Sequence, residues 1–267
     1  MRLPVAIPCV MEVRKRTIRR RASALASPRC WSRDIAGRQT GFGERLGGVT
    51  ERISVISVLP GSVPESLEPF LDRVAAGTPT PGGGTVSAVC GALSAALSRM
   101  VANLAAGKKG YEGARSGLAE IEARGKALQV KFLVLAGEDA KAYDDVVAAM
   151  KLPRGSEEER AERIEAMQIA YRRATEVPMD TIRMCIEALE LAKLTAEKGS
   201  RSAITDVGMA AILAQAAMRG AALNVRVNLS ATAYDEWRVA REAETQKLLE
   251  RGAQLAHEAN VLVESKL

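Results

Sequence analysis

Aromatic residues make up only 3% of this 267-residue chain, and histidine occurs once, as His257. So few aromatic side chains cannot form the stacking platforms that hold single-stranded nucleic acids, and we expect no nucleic-acid partner. A lone histidine cannot build a histidine metal site, the Glu-x-x-His pairs of a di-iron bundle, or a Ser/His or Cys/His nucleophile pair. The sequence therefore predicts neither a metal ion nor a cofactor.

The cysteine pattern and the lack of a long apolar run indicate where the protein works. The four cysteines are Cys9, Cys30, Cys90 and Cys185. None belongs to a C-x-x-C pair, which favours a reducing compartment without structural zinc. Residues 85–98 are uncharged, but Arg99 interrupts them before the roughly 20 apolar residues that a membrane span needs. We therefore expect a cytoplasmic protein with no membrane partner.

Basic residues are concentrated at the N-terminus. Residues 1–60 hold 12 of the 38 Lys and Arg but only 4 of the 32 Asp and Glu, so residues 61–267 hold 26 basic and 28 acidic side chains. The basic leader, with RKRTIRRR at 14–21, has three interpretations: a translation start placed too far upstream, an organellar targeting segment, or a tail that contacts anionic partners. In each case we expect the leader to be disordered.

Helical patterns run through residues 61–267, whereas strand patterns are absent. Capping boxes are predicted at 62–65 and 156–159, and Pro178 predicts a kink or break. A seven-residue spacing typical of a packed seam joins Leu248, Leu255 and Leu262. Helices are expected over about 64–76, 84–106, 112–150, 157–197 and 203–229, and from 234 onward. Because short links join long helices, the predicted fold class is an all-α up-and-down bundle.

The second predicted helix lies within TPTPGGGTVSAVCGALSAALSRMVANLAAGKKGY, at residues 78–111. Two prolines hold the chain extended, and Gly82, Gly83 and Gly84 then leave main-chain N–H groups uncovered at the helix start. Small residues line the helix, so another backbone can approach it closely. Lys108 and Lys109 follow its end, where cations complement the helix dipole. We interpret this segment as a central helix with a glycine-lined mouth.

A single charged residue interrupts the apolar stripe of the third predicted helix. The stripe steps by three and four residues through Leu118, Ile121, Gly125, Leu128, Phe132, Leu135, Asp139, Ala142, Val146 and Ala149. Burying an unpaired carboxylate is unfavourable, so Asp139 must be paired, protonated or next to a wet cavity. One interpretation is a salt bridge between helices, and the other is a functional carboxylate, with Tyr143 one turn away.

Three further polar residues have both structural and functional interpretations. Asp206 lies in the first turn of its helix, where an acid favours the dipole. Asn224 lies farther along the same helix, on a small-residue groove that suits either helix packing or a ligand wall. Asn103 is a buried amide or a ligand contact near the end of the central helix.

The order of these motifs resembles the cyclodeaminase/cyclohydrolase family. This family comprises the C-terminal domain of formiminotransferase-cyclodeaminase and the free-standing methenyltetrahydrofolate cyclohydrolases. The resemblance covers about residue 63 to the C-terminus, through the 78–111 segment, EDAKAYDDVVAAMKLPRGSEEE, VPMDTIRMCIEALEL and TDVGMAAILAQAAMRGAALNVRVNL. Two positions depart from the family pattern: Gly110 replaces a third basic residue, and Ser200 replaces the asparagine after Gly199.

The resemblance implies an all-α homodimer that binds a tetrahydrofolate one-carbon derivative in a cleft near the subunit interface. It also implies one of two reactions, either hydrolysis of 5,10-methenyltetrahydrofolate to 10-formyltetrahydrofolate or closure of 5-formiminotetrahydrofolate with release of ammonia. No formiminotransferase domain precedes the predicted domain, so we expect the hydrolase. A non-catalytic helical dimer that only binds folate is kept as an alternative.

The resemblance also assigns roles to the residues identified above. Asp139 is the first choice for the carboxylate that stabilises the cationic substrate and takes a proton from water. Asp206 is the second choice, as partner base or anchor for the pterin ring. Lys108 and Lys109 are expected to bind the folate glutamate. The remaining substrate-binding candidates are Gly82, Gly83, Gly84, Asn103, Tyr111, Tyr143 and Asn224.

Overall fold

The computed structural model describes residues 67–233 and 235–267. The predicted leader, residues 1–60, and the predicted capping box at 62–65 therefore lie outside the described residues. The compact unit that contains the described part is Glu65–Leu267. Within the described ranges the chain is helical and has no strand, which confirms the all-α fold class.

Six α-helices and two short 3-10 turns form the described part. The helices are α1 (Leu67–Ala75), α2 (Gly83–Ala106), α3 (Arg115–Met150), α4 (Glu157–Lys198), α5 (Ile204–Ser230) and α6 (Glu236–Glu264). The 3-10 turns, Glu112–Ala114 and Arg201–Ala203, precede α3 and α5. Consecutive helices from α2 to α6 pack against each other, and α2 also packs against α5. With short links between them, these neighbours run antiparallel.

The observed helix ends agree closely with the sequence patterns. Ser156 Oγ accepts a hydrogen bond from Glu159 N at 3.1 Å, and Glu159 Oε2 accepts one from Ser156 N at 3.1 Å, so the capping box is confirmed. The helix then continues to Lys198, so of the two alternatives predicted for Pro178, a kink or a break, the break is wrong. The carbonyl oxygen that Pro178 cannot reach accepts a hydrogen bond from a side chain of a neighbouring helix.

The apolar stripe of α3 faces the core, as predicted. All nine of its members other than Asp139 are buried. Gly91 of α2 lies against one of them, since a Cβ atom there would be 2.4 Å from Cε1 of Phe132. The small residues of α2 therefore let α3 approach closely. On α6, Leu255 is buried, and Leu248 and Leu262 pack partly against the core.

The helix α2 is the most apolar long helix of the described residues. By length and composition alone it is the one described helix that could cross a membrane. Arg99 therefore does not exclude a span on this test, contrary to the prediction from the sequence. Within the bundle, 56% of its most apolar window is buried.

Candidate active site

A carboxylate from α3 lies against the first turn of α2. Thr85 Oγ1 donates a hydrogen bond of 2.9 Å to Oδ2 of Asp139. A Cβ atom on Gly84 would lie 2.1 Å from Oδ1 of Asp139, so only glycine allows this approach. Gly82, the N-cap residue, has no side chain with which to cap α2. Asp139 therefore acts as the cap from a neighbouring helix, and the helix dipole favours its negative charge.

Two opposing effects set the protonation of this carboxyl group. Burial raises the pKa of Asp139 above its ordinary value of 3.8, and hydrogen bonds from the Thr85 side chain and main chain partly offset the rise. In the described part of the chain no lysine, arginine or histidine forms a salt bridge with Asp139. The group is thus a half-buried acid without a cationic partner, and a raised pKa suits a general base that works near neutral pH.

Asp139 lines a cleft of about 360 Å³ between α2, α3, α4 and α5. This volume suits a small organic ligand. Its polar and aromatic walls include Thr80, Gly82, Gly83, Gly84, Asp139, Tyr143, Tyr171, Asn224 and Asn228. Apolar side chains such as Val146 and Met150 complete it. The structure therefore brings together six predicted residues, namely Gly82, Gly83, Gly84, Asp139, Tyr143 and Asn224.

The cleft amide of Asn228 is held by a proline in the neighbouring helix. Pro178 has no N–H, so it cannot donate to the carbonyl oxygen of Ala174 one turn earlier. Nδ2 of Asn228 donates to that oxygen instead, at 2.6 Å. Asn224, one turn before Asn228, donates from Nδ2 to the oxygen of Gly220 at 3.0 Å. Each amide still has an acceptor oxygen and a second N–H available to a ligand.

Sequence reasoning overlooked three residues of this cleft. Tyr171 belongs to α4, and nothing in its own helix marks it as different from other residues there. Thr85 follows the three glycines, where a hydroxyl at the third position of a helix is common. Asn228 lies one turn after Asn224 on α5, and Pro178 inside a long helix could have indicated that a carbonyl needed an outside donor.

The other five predicted residues lie at the opposite end of α2. These residues are Asn103, Lys108, Lys109, Tyr111 and Asp206, and none of them lines the cleft. Since α2 has 24 residues, its two ends are about 35 Å apart at 1.5 Å per residue. Within one chain the predicted site is therefore divided into two groups.

Residues of this second group form hydrogen bonds with their neighbours. Nζ of Lys108 donates to Oγ of Ser200 and to Oγ of Ser202, both at 2.9 Å. The hydroxyl oxygen of Tyr111 accepts a hydrogen bond of 3.1 Å from the main-chain N of Arg201. Asn103 is exposed, so the prediction of a buried amide is wrong, and its Nδ2 donates to Oε2 of Glu122 at 3.0 Å. Among the described residues, Lys108 thus has neutral hydroxyl partners and no salt bridge.

The chain is similar to several known proteins. Residues 66–248 match the family model described as formiminotransferase-cyclodeaminase. The chain is 42% identical to the methenyltetrahydrofolate cyclohydrolase of Methylorubrum extorquens over 164 residues, which cover 61% of this chain and 79% of that protein. It is 29% identical to the formimidoyltransferase-cyclodeaminase of Gallus gallus over 73% of this chain, but spans only 36% of that longer protein.

The fold is also similar to that of a solved structure. The crystal structure of formiminotetrahydrofolate cyclodeaminase from Thermotoga maritima superposes with a TM-score of 0.67 and 31% sequence identity. The match covers 74% of this chain and 96% of that chain. Both the family model and the fold extend over most of the described helices. The chain therefore belongs to the formiminotransferase-cyclodeaminase family.

Proposed function

We propose that the Asp139 cleft hydrolyses 5,10-methenyltetrahydrofolate to 10-formyltetrahydrofolate. The observation that carries the proposal is a half-buried carboxyl group with no cationic partner among the described residues, placed on the wall of a ligand-sized cleft. The substrate's methenyl carbon bridges two nitrogens that share a positive charge. An anionic group in such a cleft stabilises this cation more strongly than it would in water.

The same carboxylate supplies the proton transfers. A water molecule forms a C–O bond to the methenyl carbon and gives one proton to Asp139, which leaves a neutral tetrahedral carbon between N5 and N10. The C–N5 bond then breaks, N5 receives the proton from Asp139, and the hydroxyl proton passes to solvent as the formyl C=O forms. Asp139 ends the cycle ionised, as a general base must.

Other groups around the cleft suit the ligand. The uncovered N–H groups at the start of α2 favour an electron-rich oxygen of the pterin. Tyr143 and Tyr171 supply flat surfaces for the rings of the folate. Asn224 and Asn228 supply amides for the polar edge of the pterin. These assignments rest on the residues that line the cleft.

A related reaction is the second candidate. Formimidoyltetrahydrofolate cyclodeamination also passes through a tetrahedral carbon between two nitrogens, and the solved relative from Thermotoga maritima carries that name. Hydrolysis is preferred because the cyclohydrolase of Methylorubrum extorquens is 42% identical, against 31% and 29% for the two cyclodeaminases. The third alternative is a helical dimer that binds folate without turnover. It does not explain why the carboxyl group of Asp139 is half-buried without a cationic partner among the described residues.

The proposal includes a homodimer that works in the cytoplasm. Support for self-association comes from large apolar side chains that α2 leaves exposed, including Leu93 at 50% and Leu104 at 45%. Support for a reducing compartment comes from Cys90 and Cys185, which are free thiols.

Two assays distinguish the reactions. The full chain is mixed with 5,10-methenyltetrahydrofolate, and the loss of its absorbance is compared with the spontaneous rate. The same preparation is then incubated with 5-formiminotetrahydrofolate, and ammonia is measured. We expect a large acceleration in the first assay and little ammonia in the second. Ammonia release alone would favour the cyclodeaminase, and folate binding without either activity would favour the binding protein.

A further inference from the structure

Two side-chain amides on the α5 wall of the cleft have a fixed orientation. Nδ2 of Asn228 donates to the carbonyl oxygen of Ala174 at 2.6 Å, and Nδ2 of Asn224 donates to the carbonyl oxygen of Gly220 at 3.0 Å. A main-chain carbonyl oxygen can only accept a hydrogen bond, so turning either amide over would bring two acceptor oxygens together. The nitrogen of each amide therefore faces a main chain, which leaves its oxygen for another partner.

The oxygens of both amides are open to the cleft. Neither Oδ1 of Asn224 nor Oδ1 of Asn228 has a hydrogen-bond partner among the described residues. In the same part of the chain, the one buried side-chain oxygen or nitrogen without a partner is Oγ of Ser94. Solvent therefore reaches both Oδ1 atoms, and the space that their residues line is the Asp139 cleft. The α5 wall thus presents two hydrogen-bond acceptors to a ligand.

Pro178 explains why the Asn228 amide is held more firmly than the other. An ordinary residue at 178 would donate its N–H to the carbonyl oxygen of Ala174, and proline has no N–H to give. Because Ala174 is buried, its oxygen depends on the donor that Asn228 supplies. Asn224, in contrast, donates to an oxygen of its own helix, which keeps its ordinary helical donor.

The start of α2 places donors beside these acceptors. A Cβ atom on Gly83 would lie 3.9 Å from Nδ2 of Asn224, so the α5 wall adjoins the first turn of α2. The first N–H groups of a helix have no partner inside the helix. Thr85 directs its main-chain N–H to Asp139, and the N–H groups of Gly83 and Gly84 remain for a ligand. The cleft therefore matches a ligand edge on which an acceptor oxygen adjoins N–H donors.

We propose that Pro178 is a positioning residue that sets the ligand selectivity of the cleft. It holds the Asn228 amide so that Oδ1, together with Oδ1 of Asn224, accepts from N–H donors of the ligand. In the substrate of the proposed function, the matching edge is the pyrimidinone of the pterin. Its 4-oxo oxygen meets the start of α2, and its N3–H and 2-amino group meet the two asparagines. The amide orientation follows from the hydrogen bonds alone, whereas the ligand rests on the proposed function.

Hydrogen exchange tests the amide orientation without any substrate. In nitrogen-15 spectra of the full chain, the side-chain NH2 signals of Asn228 are identified by their loss in Asn228→Ala. In Pro178→Ala the new N–H of residue 178 donates to the Ala174 oxygen, so exchange of the Asn228 NH2 protons should become about tenfold faster, the factor of one ordinary hydrogen bond. Pro178→Ser restores the same N–H and should behave alike. The NH2 signals of Asn224 are the control and should keep their exchange rate. Unchanged exchange at Asn228 in both variants would overturn the role of Pro178.

A pair of substrates tests the selectivity. One is 5,10-methenyltetrahydrofolate, and the other is its 2-desamino-2-methyl analogue, which lacks the amino donor. Wild type should have a kcat/KM about 10–100-fold lower for the analogue, because an acceptor in the cleft is left without its donor. Pro178→Ala should reduce this ratio to a few-fold, mainly through a higher KM for the natural substrate. Asn228→Ala should show the same small ratio, and the double variant should show no further change.

The outcomes of the two experiments are separable. Asp144→Asn, at an exposed position outside the cleft, is the control and should keep the wild-type ratio. A wild-type ratio near one would show that the asparagine oxygens do not bind the amino group, and an unchanged ratio in Pro178→Ala would remove the proline from selectivity. Wild type without turnover of either substrate would contradict the proposed function, whereas the exchange rates would still decide how the amide is held.

Discussion

Oδ1 of Asp139 occupies the space where a side chain on Gly84 would begin, 2.1 Å from the position of its Cβ atom. Gly83, one residue earlier, has no such neighbour, since its nearest contact would be Nδ2 of Asn224 at 3.9 Å. The two adjacent glycines at the start of α2 therefore differ in whether a Cβ atom would fit there. Gly84 is needed for the approach of the carboxylate, and Gly83 is not.

Alanine substitutions should separate these glycines. Gly84→Ala must displace Asp139, and a shift of about 1 Å at a catalytic group lowers kcat/KM by about 100-fold. Overpacking should also reduce the free energy of unfolding by about 1–3 kcal/mol. Gly83→Ala is the matched control and should keep kcat/KM within a few-fold of wild type. Equal effects of the two substitutions would show that the contact with Asp139 is unimportant.

Asp139→Asn should make the folded protein more stable near neutral pH. The folded-state pKa of Asp139 is raised above 3.8, so holding the ionised carboxylate destabilises the fold wherever the pH exceeds that pKa. As the pH falls through the folded-state pKa towards 3.8, the carboxyl group is protonated and the stability difference between Asp139→Asn and wild type disappears. Thermal unfolding should therefore show a higher Tm for the variant at pH 7 and a smaller difference at acid pH. Each 1 kcal/mol moves Tm by about 2–4 °C in a protein of this size. Asp144→Asn, at an exposed position of the same helix, is the control. A lower Tm for Asp139→Asn than for wild type at pH 7 would contradict a raised pKa for Asp139.

Thr85→Val should shift the pH dependence of turnover. The hydroxyl of Thr85 lowers the pKa of Asp139, so its removal lets the pKa rise further. A general base is active when ionised, and the acid limb of kcat/KM should therefore move to higher pH. Thr85→Ser keeps the hydroxyl and should leave the limb in place. If Thr85→Val retained the wild-type profile, the limb would belong to another group.

Asn228 and Pro178 should be energetically coupled through Ala174. Asn228→Ala leaves the buried Ala174 carbonyl without a donor, which should reduce the free energy of unfolding by about 1–3 kcal/mol. In a Pro178→Ala background the new N–H of residue 178 can donate to that oxygen, so the same substitution should have a smaller effect. Urea unfolding of the four chains measures the coupling.

Asn224→Ala is the matched control for this cycle. The Gly220 oxygen that Asn224 contacts keeps its ordinary helical donor, so its loss should be small and independent of Pro178. An Asn228→Ala effect of equal size in both backgrounds would mean that the proline does not determine the role of the amide.

The sequence predicted most of the fold because helix periodicity and capping are local properties. The stripe on α3 was complete, and Asp139 was identified as its exceptional member from spacing alone. The same reasoning could not place Lys108 and Asp206, since periodicity shows which face of a helix a residue occupies but not which end of the bundle it meets. Lys108 belongs to the same short segment of sequence as Gly84, but the full length of α2 separates the two residues in space.

Contacts between helices explain the other differences. Asn228, about fifty residues away, donates to the carbonyl that Pro178 leaves without its helical donor, whereas propensity within α4 alone favours a break. Tyr171 reaches the cleft only because α4 packs against α3 and α5. These relationships are tertiary, and no local pattern contains them.

The central claim is that the carboxylate of Asp139 carries the hydrolysis of 5,10-methenyltetrahydrofolate. The most direct test is the rate at which methenyl absorbance is lost at saturating substrate with wild type, Asp139→Asn and Asp144→Asn, each corrected for the spontaneous reaction. We predict that Asp139→Asn lowers kcat by about 10²–10⁴-fold, the range of general acid–base catalysis, while Asp144→Asn keeps the wild-type value. Wild-type turnover by Asp139→Asn would contradict the account.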